Sequence, residues 1–147
     1  MTKFLVDRML GQTAKWLRLF GVDAEYAPKG DDRELKRIAD DDDRVILTRD
    51  KELSIYEDAL YIEERGIDDI LKKIIEEYDL EIKPFSRCSL CNGKIKTIKR
   101  KNVKDRVPEG VYERNDEFWI CDNCHQIYWK GTHWDKILAK IEKLSNQ

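Results

Sequence analysis

The chain has 147 residues, of which 39% are charged and 41% are hydrophobic, and its formal net charge at pH 7 is −2. This length fits one domain, or a small domain with an appendage. Apolar runs approaching about 18 residues are absent from the sequence, so we expect no membrane partner and a soluble, cytoplasmic protein.

Strand and helix patterns alternate along residues 1–84. Short apolar runs predict strands at the four positions 4–6, 22–26, 44–49 and 59–62. Apolar residues at helical spacing predict three helices, at 8–20, from Asp31 through Ala39, and from Ile67 through Tyr78. Asp31 with Glu34 resembles a capping box, and the acidic run 40–43 predicts a solvated turn. This alternation predicts an α/β fold, with a parallel sheet flanked by helices.

Acidic residues follow the predicted strands at the edge where such sheets usually work. Asp7 and Asp50 each stand just past a hydrophobic strand, and Asp32 starts a helix that would pack over the same edge. Three carboxylates in one place repel each other unless a cation neutralises them. Mg²⁺ and Mn²⁺ prefer oxygen ligands. The residues alone therefore predict an α/β protein with a candidate Mg²⁺ or Mn²⁺ site.

Each of these acids also has an ordinary structural explanation. Asp7 and Asp50 are suited to capping the helical turns that follow them. Asp32 is suited to a helix start, where a negative charge interacts favourably with the helix dipole. Only their joint placement favours a metal site.

The composition changes at Lys83-Pro84, where proline stops the preceding helix. Residues 1–84 carry 15 Lys and Arg against 22 Asp and Glu, whereas residues 85–147 carry 13 against 8. The second segment also holds most of the tryptophans. We therefore predict two domains, 1–84 and 85–147, with different tasks.

The only cysteines form two Cys-x-x-Cys pairs, Cys88 with Cys91 and Cys121 with Cys124. Four thiolates suit one tetrahedral Zn²⁺, and the interval between the pairs leaves room for a hairpin, so we predict a structural zinc ribbon. Three alternatives fit less well. A disulfide framework needs an oxidising compartment, a redox site would use one pair only, and the haem-attachment pattern ending at His125 needs export. The N-terminal residues do not resemble a signal peptide.

The rest of the second segment predicts strands and a final helix. Alternating polarity predicts a strand at 94–99, and a basic loop overlaps its end at 99–104. Further strands are expected around the second cysteine pair, and a C-terminal helix should dock its apolar face on the ribbon or on the first domain. Basic residues beside Tyr128 and Trp129 could bind phosphates and stack bases. Alternatively, these aromatic residues form the core of the small domain.

Several motifs, in this order, resemble the PIN-like ribonuclease family named for the C-terminal region of the Mut-seven exonuclease. They span nearly the whole chain and include Phe4-Leu-Val-Asp7-Arg8, Trp16-Leu-Arg18, Asp31-Asp32-Arg-Glu-Leu35, Thr48-Arg49-Asp50, Arg87-Cys-Ser-Leu-Cys91 and Tyr128-Trp-Lys-Gly131-Thr-His133-Trp134.

The resemblance implies a PIN-type nuclease domain with a C-terminal zinc ribbon, which cleaves RNA with metal-binding acids. By motif, Asp7, Asp32 and Asp50 would be those acids, and Asp31 and Asp23 are candidates for a fourth position. Their metal would activate a water for in-line attack. The nearby arginines Arg8, Arg18 and Arg49 are candidates to grip the phosphate, because a guanidinium matches its geometry. For Arg18 the alternative is a solvent-facing position on its helix.

The favoured function is thus a metal-dependent ribonuclease whose ribbon assists RNA binding. The alternative is a non-catalytic module that holds RNA or a protein partner on the same fold. A DNA nuclease is a weaker third choice, because no residue pattern distinguishes the sugar.

Overall fold

A four-stranded parallel sheet forms the centre of the first segment. The computed structural model describes residues 2–28, 30–56 and 58–145. The strands are β1 (Phe4–Val6), β2 (Ala24–Tyr26), β3 (Val45–Thr48) and β4 (Ala59–Tyr61), in the order β2-β1-β3-β4. All three neighbouring pairs are parallel. The predicted α/β class is confirmed, and each of the four predicted strands is present.

Helices connect the first three strands, as expected for parallel pairs. They are α1 (Gly11–Leu19) and α2 (Asp32–Asp41), whereas a 3₁₀ turn (Leu53–Ile55) lies between β3 and β4, and α3 (Ile67–Tyr78) follows β4. The predicted helix 8–20 begins instead as a separate 3₁₀ turn, Arg8–Leu10. The side chain of Asp31 caps α2 by accepting a hydrogen bond from the Glu34 amide. The predicted acidic turn starts later than expected, because α2 continues through Asp41.

The strands of the sheet are almost wholly apolar. Both faces of the sheet are therefore covered by helices or turns. On one face, Phe4, Val6 and Leu47 pack against α1 and α3. On the other, Leu5 and Ile46 pack against α2 and Leu53. Alternate residues of one strand point to opposite faces, so both layers of core are built from the same short runs. The carboxyl ends of the strands therefore form an open edge between two helical layers.

The second segment contains a three-stranded antiparallel sheet. Its strands are β5 (Ile95–Ile98), β6 (Phe118–Cys121) and β7 (Ile127–Tyr128), in the order β5-β6-β7. A 3₁₀ turn, Arg100–Asn102, and the short helix α4 (Glu109–Arg114) lie between β5 and β6. The sequence predicted a basic loop there, but Val103 is buried against this sheet. One apolar residue in a charged run carries no periodicity, so this contact could not be predicted.

The C-terminal helix α5 (Thr132–Ser145) returns to the first segment. Ile137 and Leu144 belong to the same buried cluster as α1 and α3. Lys143 reaches Asp68 of α3, with 2.6 Å between Nζ and Oδ2. The predicted docking of this helix is therefore onto the first segment, although the division at residue 84 itself stays a prediction.

A second set of contacts between the two segments links the ribbon to the start of β2. The Asn92 side chain donates to Asp23 over 2.7 Å and accepts from the Ala24 amide over 3.1 Å. Arg44 and Arg87 also pair with Asp23, at 2.8 and 3.4 Å. Burial would raise the pKa of Asp23, but hydrogen bonds from Arg44 and Asn92 outweigh it and lower this pKa. The ionised Asp23 thus holds the two segments together.

Candidate functional site

Thr48 organises two of the predicted acids at the carboxyl edge of the parallel sheet. It is the last residue of β3 and is fully buried. Its hydroxyl donates to Asp7 Oδ2 over 2.7 Å and accepts from the Asp50 amide over 2.9 Å. One hydroxyl therefore fixes the carboxylate that follows β1 and the backbone that follows β3. This role of Thr48 could not be predicted from the sequence, because the pairing depends on strand register.

Among the residues that the structure describes, the closest group of carboxylates at this edge is Asp32, Asp50 and Glu52. Each offers one oxygen, and these oxygens lie within 4.8 Å of one another. Ligand oxygens on opposite sides of one Mg²⁺ are about 4.2 Å apart, since each bond is 2.0–2.1 Å long. The donor set therefore suits one hard divalent cation, which on binding would hold these oxygens no more than about 4.2 Å apart. Two of the three predicted acids are brought together, and Glu52 joins them.

Asp7 lies outside this closest group, but its charge acts electrostatically on Asp32. Burial, followed by the charges of Asp50, Asp7 and Asp31, raises the pKa of Asp32. Like charges are thus gathered around Asp32, which disfavours its ionised form. A bound cation would reverse that effect.

The three predicted acids differ in the local roles that they have beside a possible metal site. Asp50 does cap the turn after β3, because its Oδ1 accepts from the Glu52 amide over 2.9 Å. Asp7 makes no capping bond to the 3₁₀ turn that follows it. The cap of α2 is Asp31, and Asp32 is the first residue of α2, where its charge interacts favourably with the helix dipole as the structural explanation predicts. Only Asp50 therefore combines local capping with a place in the acidic group.

Neither suggested fourth acid belongs to that group. Asp31 is occupied as the cap of α2. Asp23 precedes β2, and the register of β2 with β1 places it at the opposite, amino edge of the sheet. Glu52 is the additional acid that the structure offers. It was missed because it follows Asp50 in a helical turn, where an exposed glutamate is ordinary.

The three predicted arginines have different surroundings. Arg8 is exposed and directly follows Asp7. Arg49 reaches the chain beyond β4, where it donates to the carbonyls of Ile62 and Glu64 over 3.3 and 2.7 Å. Both lie on segments that follow strands, at the same edge as the carboxylates.

The prediction for Arg18 requires correction. Its guanidinium is buried and donates to the carbonyls of Ala24, Ser89 and Leu90 over 2.8 to 3.3 Å. Ala24 pairs with Phe4 at the start of β1, so this contact lies at the amino edge of the sheet. Arg18 ties α1 to the first cysteine loop. Helical spacing alone could not show which end of the sheet it would face.

The four cysteines form a compact group of sulfurs within 4.8 Å of one another. Cys88 and Cys124 are 3.6 Å apart, and Cys91 and Cys121 are 3.4 Å apart. A disulfide would require about 2.05 Å, whereas Zn–S bonds of about 2.3 Å place tetrahedral sulfurs about 3.8 Å apart. The spacing therefore fits one metal ion such as zinc.

The surroundings of these sulfurs also suit a thiolate centre. The hydroxyl of Tyr128 lies 2.9 Å from Cys88 Sγ, and the Asn123 amide donates to Cys121 Sγ over 3.4 Å. Donors of this kind orient metal-bound sulfurs. A Cβ at Gly93 would lie 2.8 Å from Cys121 Sγ, so only glycine allows the chain to pass this close.

Comparison with models of protein families identifies the family to which this chain belongs. The model of the Mut7-C RNAse domain matches residues 2–141, which is nearly the whole chain. The chain therefore belongs to the Mut7-C RNAse domain family, as its motifs indicated, and this membership indicates a nuclease-like, RNA-related function. Searches of curated proteins and of solved structures gave no match. Within the described residues, every helix is too short or too polar to cross a membrane.

Proposed function

We propose that this protein is a metal-dependent ribonuclease that hydrolyses RNA phosphodiester bonds at the carboxyl edge of its parallel sheet. The observation that carries the proposal is the group formed by Asp32, Asp50 and Glu52 in a chain of a ribonuclease family. Asp7 supports this group through its charge and its bond to Thr48. The donors are all carboxylates, which favours Mg²⁺ or Mn²⁺.

The carboxylates and the two arginines at this edge would have different roles in the reaction. The carboxylates hold the cation, which when bound supplies Lewis-acid stabilisation and lowers the pKa of a water. Arg8 is exposed beside Asp7 and is suited to bind the phosphate of the RNA. Arg49 is engaged with backbone carbonyls, so it positions the loops after β3 and β4 and leaves the phosphate to Arg8.

The zinc ribbon would assist RNA binding rather than take part in the reaction. Four thiolates fill the tetrahedral coordination of zinc and leave no open position for substrate. The segment that carries the ribbon is also the basic part of the chain. A positive surface attracts the RNA backbone at any sequence.

A non-catalytic binding module remains the second candidate, because two of the acids have local partners. Asp50 caps a turn and Asp7 binds Thr48, and both bonds would form without a metal. This candidate predicts RNA or protein binding without turnover.

Cleavage of single-stranded RNA in Mg²⁺ or Mn²⁺ separates these candidates. Asp50→Asn and Asp32→Asn should each lower the rate at least about 100-fold, because even outer-shell changes at metal sites cost about 10–100-fold. Asp41→Asn removes an exposed charge from the other end of α2 and is the matched control. Wild-type rates in both site variants would refute the proposal. A parallel assay on single-stranded DNA tests the choice of sugar.

A further inference from the structure

A cavity of about 380 Å³ lies between α1, the ribbon and α5. It is partly open to solvent, and small-molecule pockets begin near about 300 Å³. Aromatic residues of the ribbon therefore border a pocket, and Trp129 among them also packs against the ribbon core. The cavity walls include the rings of Phe85, Tyr128, Trp129 and Trp134.

The aromatic wall is held in a defined arrangement. The Phe85 ring centroid lies 4.5 Å from that of Trp119 and 4.6 Å from that of Trp134. Phe85 has φ 62°, a left-handed conformation that is unusual for a bulky residue. Such strain persists only where the surrounding structure enforces it. Lys130 lies over the Trp134 ring, with Nζ 5.2 Å from the centroid.

The charged residues of the wall are all basic. Lys15 of α1 and Arg87 line the cavity together with His133, and no Asp or Glu is among its described lining residues. Arg87 is already paired with Asp23, but Lys15 and His133 are exposed. Aromatic faces beside positive charges are the usual surface for single-stranded nucleic acid, because every base has a face that can stack.

We infer that this cavity binds one unstacked base of single-stranded RNA, with Lys15 contacting the adjacent phosphate. This inference rests on the proposed ribonuclease function and gives its substrate a second contact point. The α1 helix begins next to the turn that follows Asp7 and ends at Leu19 on the cavity wall. Its nine residues span about 13 Å at 1.5 Å each. The bound base is therefore separated from the cleaved phosphate by more than one nucleotide.

Binding is measured apart from cleavage by using the Asp50→Asn protein and a fluorescently labelled single-stranded RNA octamer. In this background, Trp134→Ala should raise the Kd about 5- to 150-fold, which is the usual effect of losing one stacked base. Trp134→Phe should retain most of the affinity. Lys15→Glu should weaken binding, whereas Lys136→Glu, at another exposed lysine, on α5 and outside the cavity wall, should not. Zinc content and melting temperature show whether each variant is folded.

Unchanged Kd values in Lys15→Glu and in folded Trp134→Ala protein would overturn the inference, even if the wild type cleaves RNA. Equal affinity for a fully duplex RNA would also overturn it, because paired bases are not available for stacking. Tight, cavity-dependent RNA binding by a wild-type protein without turnover would support the cavity and refute the proposed catalysis.

Discussion

Thr48→Val should loosen the carboxylates at the carboxyl edge without opening a cavity, because valine and threonine have the same branched shape and differ in the hydroxyl. The hydroxyl is fully buried and serves Asp7 and the Asp50 amide, at 2.7 and 2.9 Å. A hydrogen bond to a charged group contributes about 1.5–3 kcal/mol. Asp7 and Asp50 are half-buried, so water replaces part of this loss.

We therefore expect Thr48→Val to lower the free energy of unfolding by about 2 kcal/mol. For a protein of this size, that corresponds to a fall in Tm of about 4–8 °C. The affinity for Mn²⁺ should fall about 10- to 100-fold, which is typical when a group that orients metal ligands is removed. Thermal melting followed by circular dichroism measures the first effect, and titration calorimetry with Mn²⁺ measures the second.

Thr48→Ser is the matched control for this prediction. It keeps the hydroxyl and loses one methyl group, which costs about 0.8 kcal/mol. Its Mn²⁺ affinity should stay close to that of the wild type. If the valine and serine variants bind Mn²⁺ equally well, the hydroxyl does not position the carboxylates and the reasoning is refuted.

Three further predictions test the contacts between the two segments and the four-cysteine cluster. The lowered pKa of Asp23 means that its ionised form stabilises the folded state above the unfolded pKa of about 3.9, and that this stability is lost as the pH falls through the folded value. In urea unfolding at pH 7 and pH 3, Asp23→Asn should therefore lose less stability than the wild type, and equal losses would contradict this. Ile137→Ala should cost about 2–5 kcal/mol, whereas Leu138→Ala, at an exposed position, should change stability by about 0.5 kcal/mol or less; equal melting temperatures would show that α5 does not stabilise the first core. Gly93→Ala should release zinc to a chelator faster than the wild type, because its new methyl group would lie 2.8 Å from Cys121 Sγ, and unchanged release would exclude the crowding.

Short-range patterns determined most of the secondary structure. The four apolar runs became the four strands of the parallel sheet, and the Asp31 cap begins α2 as its spacing predicted. Strand and helix periodicity depend on neighbours a few residues apart, so the sequence displays them directly. The helix α4 was missed because its six residues are too few for a repeating apolar face.

The four-cysteine cluster was also predictable from the sequence, because each Cys-x-x-Cys pair is a local unit that can donate two sulfurs to a metal. The members of the acidic group were predictable from the sequence only in part. The ends of parallel strands must share an edge, which brought Asp50 and Asp32 into one prediction. The same rule included Asp7, and the structure places its carboxylate on Thr48 rather than in the closest group.

The sequence by itself therefore determined the strands, most of the helices, the cysteine pairs and the edge of the sheet where acids would gather. Tertiary structure alone decided that Glu52 joins the acidic group, that Arg18 holds the ribbon at the amino edge, and that α5 completes the first core. The physical reason is the range of the interactions. Propensity and spacing act within a few residues, whereas these contacts depend on strand register and on packing between distant segments, such as Arg18 and Leu90, which are 72 residues apart.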